Sequence, residues 1–436
     1  MRRIKWIFVI TIIFGMGTAA ATVFAQEELH RSGRYYVAEL SRTFKVKEGG
    51  TLEIRRLRGD ISVSGWEKSG VEVREKVKMD IFTKSEAQKG LDLVKKTLMV
   101  TDKSIFIDGS DYRSWMNVDV VVKVPMRFNT KLNTRGGDIL LENLKGYQTL
   151  STSGGDVRLL GLNGQIQART SGGDISVKRL KGTITLATSG GDLDLRDIAG
   201  VLSGSTSGGD ITLINSTDRV SLSTSGGDIR IVNSRGDLMA RTSGGDINVR
   251  ESGGKVNITT SGGDISLNKA SGNVIARTSG GDIDLYNILK NVVAKTSGGD
   301  LNLENIGGSI KAVTSGGEIT IKNAGASVEA RTSGGNVSVD MNTTDFAKDH
   351  HADIASSGGD LELALPAKLP ATIFARIEVR HKPLSDFSIS SDFPLNLEKK
   401  GKYGWNRIIE ATGDINGGGD RIKLQTVNGN ITIKKR

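Results

Sequence analysis

Between residues 138 and 345 the chain alternates apolar and polar positions in short runs, and the pattern restarts every 18 residues. Gly173-Asp174-Ile175-Ser176-Val177 is one such run, and Gly182-Thr183-Ile184-Thr185-Leu186 follows nine residues later. Alternation with period two marks a strand with one buried face. Aliphatic residues keep their phase from repeat to repeat. Val157, Ile175 and Leu193 begin a series that runs to Val337, Leu159, Val177 and Leu195 one that runs to Val339, and Ile166, Ile184 and Leu202 one that runs to Val328. A single pair of such strands has nothing against which to bury its apolar side. Stacking successive repeats at about 4.8 Å pairs each strand with its own copy and turns the series into buried columns.

The punctuation agrees with the alternation. Gly-Gly-Asp recurs with its acid at positions 138, 156, 174, 192, 210, 228, 246, 264, 282 and 300, then as Glu318 and Asn336, and once more at Asp360 after a six-residue insertion. Glycines such as Gly164, Gly182 and Gly200 divide each repeat in two. Glycine before a strand serves a corner that needs positive φ or close backbone approach. The fold predicted is therefore all-β: a single-stranded parallel β-solenoid of 18-residue coils, each made of two 9-residue half-coils, over residues 131–345.

The flanks read as caps for the raw strand edges of such a stack. Residues 26–130 form an N-terminal β-rich cap, with strands at Thr51–Ile54, Ile61–Ser64 and Val118–Val124 and a helix over about 84–99. Thr83 and Glu86 make a capping box, and Ala87, Leu91, Val94 and Leu98 share a face, although Gly90 interrupts it. Residues 346–436 form a C-terminal β-rich cap ending in a strand around Ile431–Ile433.

Composition adds a compartment. Arg2, Arg3 and Lys5, an apolar run from Trp6 to Ala21, and Val23-Phe24-Ala25 compose a secretory signal peptide over residues 1–25. The protein is thus expected to be extracytoplasmic (periplasm, outer surface or secreted), with no stable transmembrane segment after cleavage. Cysteine is absent from the 436 residues, so packing and backbone ladders must carry stability without disulfides. Removing the three leader charges lowers the formal net charge of +10 to a modest excess concentrated in the flanks, at Arg55-Arg56-Leu57-Arg58, Lys95-Lys96 and Lys434-Lys435-Arg436. These clusters read as solvated surface, with no nucleic-acid partner.

Four features carry candidate chemistry. The corner acids suggest a calcium ladder, but the second half-coil carries Gln165, Thr183, Val201, Arg219, Lys255 and Asn273, with Asp237 its lone acid. Calcium needs six to eight oxygens, so corner aspartates are expected to accept backbone N–H groups instead, with Arg169, Arg241, Arg277 and Lys295 available to offset charge. The Thr-Ser pairs read as a structural hydroxyl ladder and not an ice-binding face. His350-His351, in the one insertion, is expected to be an exposed loop and no metal site. A polysaccharide-cleaving enzyme needs a loop-built groove with paired carboxylates, and no coil from 138 to 336 carries an insertion. The expectation is no enzyme, no catalytic, cofactor-binding or metal residues, and no cofactor.

One further pattern has a family likeness. Leu57-Arg58-Gly59-Asp60-Ile61-Ser62-Val63-Ser64-Gly65-Trp66-Glu67, then Val71 and Val73, a short helix, Val124-Pro125, Gly-Asp-Ile repeats, and the closing Thr426-Val427-Asn428-Gly429-Asn430-Ile431 occur in the order found in the bacterial putative-adhesin β-solenoid family, which this chain resembles over nearly its whole mature length. The resemblance implies a β-solenoid in an extracytoplasmic setting and supplies no binding residues. Together the readings describe a non-enzymatic secreted or cell-envelope β-solenoid presenting an elongated surface for adhesion or protein contact, its partner a protein or glycan at the envelope. The alternatives are a periplasmic structural or signalling accessory and, third, a carbohydrate-acting β-helix enzyme.

Overall fold

The structure, a computed structural model, describes residues 29–343, 345–401 and 407–436. The signal-peptide expectation for residues 1–25 lies outside the described residues. The chain forms two compact units, one ending at Ser216 and the other spanning Thr217–Arg436. Both are built from parallel coils, as the repeat predicts. Among the described residues no helix is long and apolar enough to cross a membrane.

In the first unit the coils stack in two rows. One row runs from Met116–Pro125 through Ile61–Trp66, Ile139–Glu142 and Val157–Leu160 to Ile175–Ala187 and Leu193–Ser205, with Ile61 paired to Ile139 and Ile139 to Val157. The other runs from Ser104–Asp108 through Thr51–Leu57, Asn129–Thr134, Lys145–Ser151 and Asn163–Arg169. Parallel stacking therefore begins in strands well before residue 131. Every partner beyond Lys145 is 18 residues away, so like side chains lie over like and the columns are buried: Ile139, Val157, Ile175, Leu193 and Ile211 are all at most 1% exposed. Each buried aliphatic contributes roughly 1.5–3 kcal/mol.

An antiparallel sheet closes this unit. Tyr35–Phe44 pairs with Val71–Met79, which pairs with Met116–Pro125. Helix α1, Lys84–Thr97, packs on the inner face through Ala87, Gly90, Leu91 and Val94. Half of the capping box forms: Thr83 Oγ1 accepts from the Glu86 N–H at 3.3 Å, while the Glu86 carboxylate accepts from the Thr83 hydroxyl at 2.8 Å instead of from its backbone N–H. The helix stops at Thr97, short of residue 99, because Leu98–Val100 pairs with Ser104–Asp108. Gly90 sits inside the unbroken helix for a packing reason, since a Cβ there would lie 2.7 Å from Met79 Sδ.

The second unit continues the same arithmetic. Ile229, Ile247, Ile265, Ile283, Leu301 and Ile319 pair in sequence in one row, and Val220, Leu238, Val256, Val274, Val292 and Ile310 in the other. The insertion is looped out without loss of register, so that Val337 pairs with Leu361. The last coil does not come from the next stretch of chain. Ala371–Val379, Arg407–Ile415 and Asn396–Lys400 first make an antiparallel sheet, and Asp420–Val427 and Ile431–Lys435 then return to pair with Ala352–Ser356 and Leu361–Leu365.

Two corner devices refine the sequence reading. The second glycine of Gly-Gly-Asp has no positive φ. It is needed because its Cβ would meet the carbonyl oxygen of the previous corner at about 2 Å, as at Gly173 (2.1 Å from Gly155 O). The turn between half-coils instead places a residue that is usually not glycine in the left-handed region: Asn143, Arg179, Asp197 and Asn215 in the first unit, and Asn233, Glu251, Lys269, Asn287, Asn305 and Asn323 in the second. The residue after each is buried, as at Leu144, Leu180, Ile198, Ile288 and Ile306, giving a further column that strand alternation did not reveal.

Candidate functional site

The corner ladder is a hydrogen-bonding device. In the first unit, Oδ1 of Asp138, Asp156, Asp174 and Asp192 accepts the backbone N–H of the acid one coil later at 2.7–3.0 Å. In the second, Asp228, Asp246, Asp264, Asp282 and Asp300 do the same at 2.7–2.8 Å. The ladder starts earlier than the repeat: Asp119 accepts from Asp60 N–H at 3.0 Å, and Asp60 from Asp138 N–H at 2.9 Å. Asp237, the lone acid of the second half-coil, accepts from Lys255 N–H at 3.0 Å. Beside it runs a buried threonine ladder. Thr170, Thr188 and Thr206 each donate to a glycine carbonyl of the previous coil at 2.8 Å and accept a glycine N–H at 3.3 Å. Both ladders thus hold successive coils together. Among the described residues no three His, Asp or Glu side chains gather as metal ligands do.

His350 departs from the exposed-loop expectation. It is fully buried, its Nε2 is 3.0 Å from Thr343 Oγ1, and its backbone N–H donates to the Asp420 carboxylate at 3.1 Å. The reason is that the insertion folds back onto the start of Asp420–Val427. His351 stays exposed and hydrogen-bonds Asp349 at 2.6 Å, and the His351 backbone N–H holds the Asp349 carboxyl below the usual carboxylate range. The two histidines face different partners.

The basic clusters also divide. Arg55 pairs with Glu53 at 2.6 Å, Lys434 with Glu362 at 2.6 Å, and Arg436 with Asp340 at 2.6 Å. Lys95 sits 3.8 Å from Asp92. Arg58 differs: its Nε is buried and has no hydrogen-bond partner in the protein. It lines an open cavity of about 730 Å³ in the first unit, together with Arg135, Lys78, Tyr35, Trp115 and the acids Asp60 and Asp80. Asp80 is paired with Arg34 at 2.9 Å. Lys78 Nζ lies 4.1 Å from the Tyr35 ring centre. The outer edge of the Trp115 ring packs over Gly90 of α1, where an added Cβ would be 3.3 Å away. Sequence reasoning missed this cavity because its walls come from five segments far apart in the chain. The only advance signal was the arginine at residue 135, where the repeat otherwise writes serine.

No curated protein matches the chain. Solved structures align with it, these two among them. One is a putative cell adhesion protein from Clostridium sporogenes, 10% identical, aligned over 91% of this chain and 100% of its own, with a TM-score of 0.14. The other is a putative adhesin from Bacteroides fragilis, 16% identical, aligned over 65% of this chain and 96% of its own, with a TM-score of 0.20. The family described as Toastrack DUF4097 matches residues 74–287 and 253–434, overlapping stretches that take in the cavity's Lys78, Trp115 and Arg135 and nearly every coil. This chain belongs to the Toastrack DUF4097 family, whose function is unknown.

Proposed function

We propose that this protein is a non-enzymatic, extracytoplasmic solenoid that presents a repeated surface for adhesion or protein contact. The observation that carries the reading is the use of the corners as joints. Each corner aspartate gives one carboxylate oxygen, and each corner threonine its hydroxyl, to inter-coil hydrogen bonds. What each coil offers outward is a pair of flat strand faces with no loop between them to build a groove. Such faces suit contact with a partner surface better than they suit enclosure of a substrate.

The test is digestion by an external protease on intact cells, with a periplasmic protein as control. Digestion from outside places the solenoid at the surface, and adhesion to candidate ligands can then be measured. Protection until the envelope is opened removes adhesion and leaves the role of a periplasmic structural or signalling accessory, whose partner crosslinking would capture.

A further inference from the structure

The repeat supplies its own control for what a corner needs. Thr152-Ser153-Gly154-Gly155-Asp156 and its successors place an exposed serine between the buried threonine and the glycines. The corner before them reads Thr134-Arg135-Gly136-Gly137-Asp138. Thr134 makes the ladder bond there like its successors, donating to Gly59 O at 2.8 Å. The fold is therefore satisfied by serine, and the guanidinium of Arg135 serves no bond within the protein. One coil over, Arg58 follows Leu57, the pairing partner of Thr134. The Arg135 backbone N–H donates to Leu57 O at 2.9 Å, so the two arginines directly follow paired residues at the ends of neighbouring strands, whose backbones run about 4.8 Å apart.

Both arginines line the same cavity, and two like charges there repel, the more so where one is partly withdrawn from water. Among the described residues the acids nearby form no ion pair with either arginine. Asp80 is held by Arg34, and Asp60 Oδ1 is occupied by the Asp138 N–H. Among the lining residues three cations, Arg58, Lys78 and Arg135, face two carboxylates, Asp60 and Asp80. Planar guanidiniums bind carboxylate and sulfate groups bidentately. Trp115 is fixed by its packing on α1 and stands in the wall, where an aromatic surface takes the apolar face of a sugar ring. Gly136 leaves the mouth open, since an added Cβ would meet nothing within 4 Å. A volume of about 730 Å³ is far more than a lone ion requires and falls in the range of ligand-binding clefts.

We propose that this cavity binds an acidic oligosaccharide, with a carboxylate or sulfate between Arg58 and Arg135 and a ring against Trp115. This deepens the contact reading above by naming one ligand class and one place on the surface.

Calorimetric titration of the full mature chain at physiological salt tests it. The probes are a heparin-derived tetrasaccharide, a tetragalacturonate, neutral maltotetraose and inorganic sulfate. At least one acidic tetrasaccharide should bind, and which of the two does so tells sulfate from carboxylate recognition. Maltotetraose should not bind. R135S, which restores the repeat's own residue, should weaken binding about tenfold or more, the worth of a lost charge-assisted pair. R169S removes the same charge from another coil and should change affinity less than about twofold. Equal weakening by R135S and R169S would mean diffuse attraction and would overturn the site. Equal affinity for maltotetraose, or for sulfate alone, would overturn the acidic-saccharide assignment, and so would an absence of binding to both acidic probes. Failure here together with surface digestion leaves the scaffold role standing, whereas binding by a protein that proves periplasmic separates the site from adhesion.

Discussion

At the corner of Gly190 and Gly191 two glycines stand side by side, yet only one of them is indispensable. A Cβ on Gly190 would come no closer than 3.6 Å to the chain, whereas one on Gly191 would lie 2.1 Å from Gly173 O and 2.6 Å from Asp174 Oδ1. The carbonyl it would strike is Gly173 O, which accepts from Thr188 at 2.8 Å, so it cannot move without breaking the ladder. G190A should alter stability by less than about 1 kcal/mol and G191A should lower it by about 3 kcal/mol, read from urea midpoints. Equal effects of the two would mean that the coils are not packed this tightly. The neighbouring threonine has the same asymmetry with the serine that follows it. Thr242 donates to Gly227 O at 2.9 Å and accepts Gly245 N–H at 3.3 Å, and Ser243 is exposed. T242V keeps the shape but strands two buried backbone groups, at a cost of about 1–3 kcal/mol, and S243A should cost under about 0.5 kcal/mol. The sequence made the glycines visible but not their division of labour, because close approach and positive φ leave the same letter. The left-handed column was hidden for the opposite reason: Arg179, Glu251 and Lys269 occupy a conformation that their residue types do not advertise.

Among elements, the least repetitive join is that of α1 with its sheet. Glu75, on the inner face of Val71–Met79, is fully buried and hydrogen-bonds Arg42 of Tyr35–Phe44. Arg42 also donates to Lys95 O near the end of α1 at 3.4 Å, and Tyr112 OH meets Thr97 at 2.9 Å. Burial pushes the Glu75 carboxyl above the usual carboxylate range, and the attraction of Arg42 offsets this only in part. The sign of the stability change follows from proton binding. Below the ordinary carboxylate pKa both the folded and the unfolded chain hold the proton, and the contribution of Glu75 is fully present. As pH rises from there through the folded value, the unfolded chain releases its proton first, and that contribution is lost. E75Q keeps an acceptor for Arg42 and removes the titration. The difference in urea midpoint between E75Q and the parent should therefore move in favour of E75Q as pH rises through that window. A difference that stays constant with pH would show that Glu75 is not the titrating group. Nothing in the sequence announced this cluster. The helix and strands were readable one by one from capping and alternation, but Arg42, Glu75, Thr97 and Tyr112 meet only through tertiary packing. The burial of His350 was hidden in the same way, because its contact with Asp420 spans 70 residues.

For the molecule as a whole, the period of 18 is a statement about registry, and registry makes deletions informative. Within the second unit, Asp246 N–H bonds to Asp228, Asp264 N–H to Asp246, and Ile247 pairs with Ile265. Removing residues 247–264 joins Asp246 to Ile265, the junction already present at Asp264-Ile265, so every column, both ladders and the left-handed turn find equivalent partners. In a stack whose stability is a sum of coils and nearest-neighbour interfaces, losing one coil is a local subtraction. That variant should keep its β circular dichroism and lose less than about 5 °C in Tm. Removing residues 247–255 also deletes a multiple of the half-coil but joins Asp246 to Val256. A second-half strand would then stand in a first-half row. The left-handed Glu251 and its buried successor Ser252 would be missing, and the threonine column would meet the wrong corner. Because each strand pairs only with its equivalent, that error cannot be absorbed by a shift of one neighbour, and the nine-residue deletion should yield aggregated or unfolded protein. Similar behaviour of the two deletions, in solubility and in melting temperature, would mean that the half-coils are interchangeable and that the 18-residue coil is not the unit of assembly.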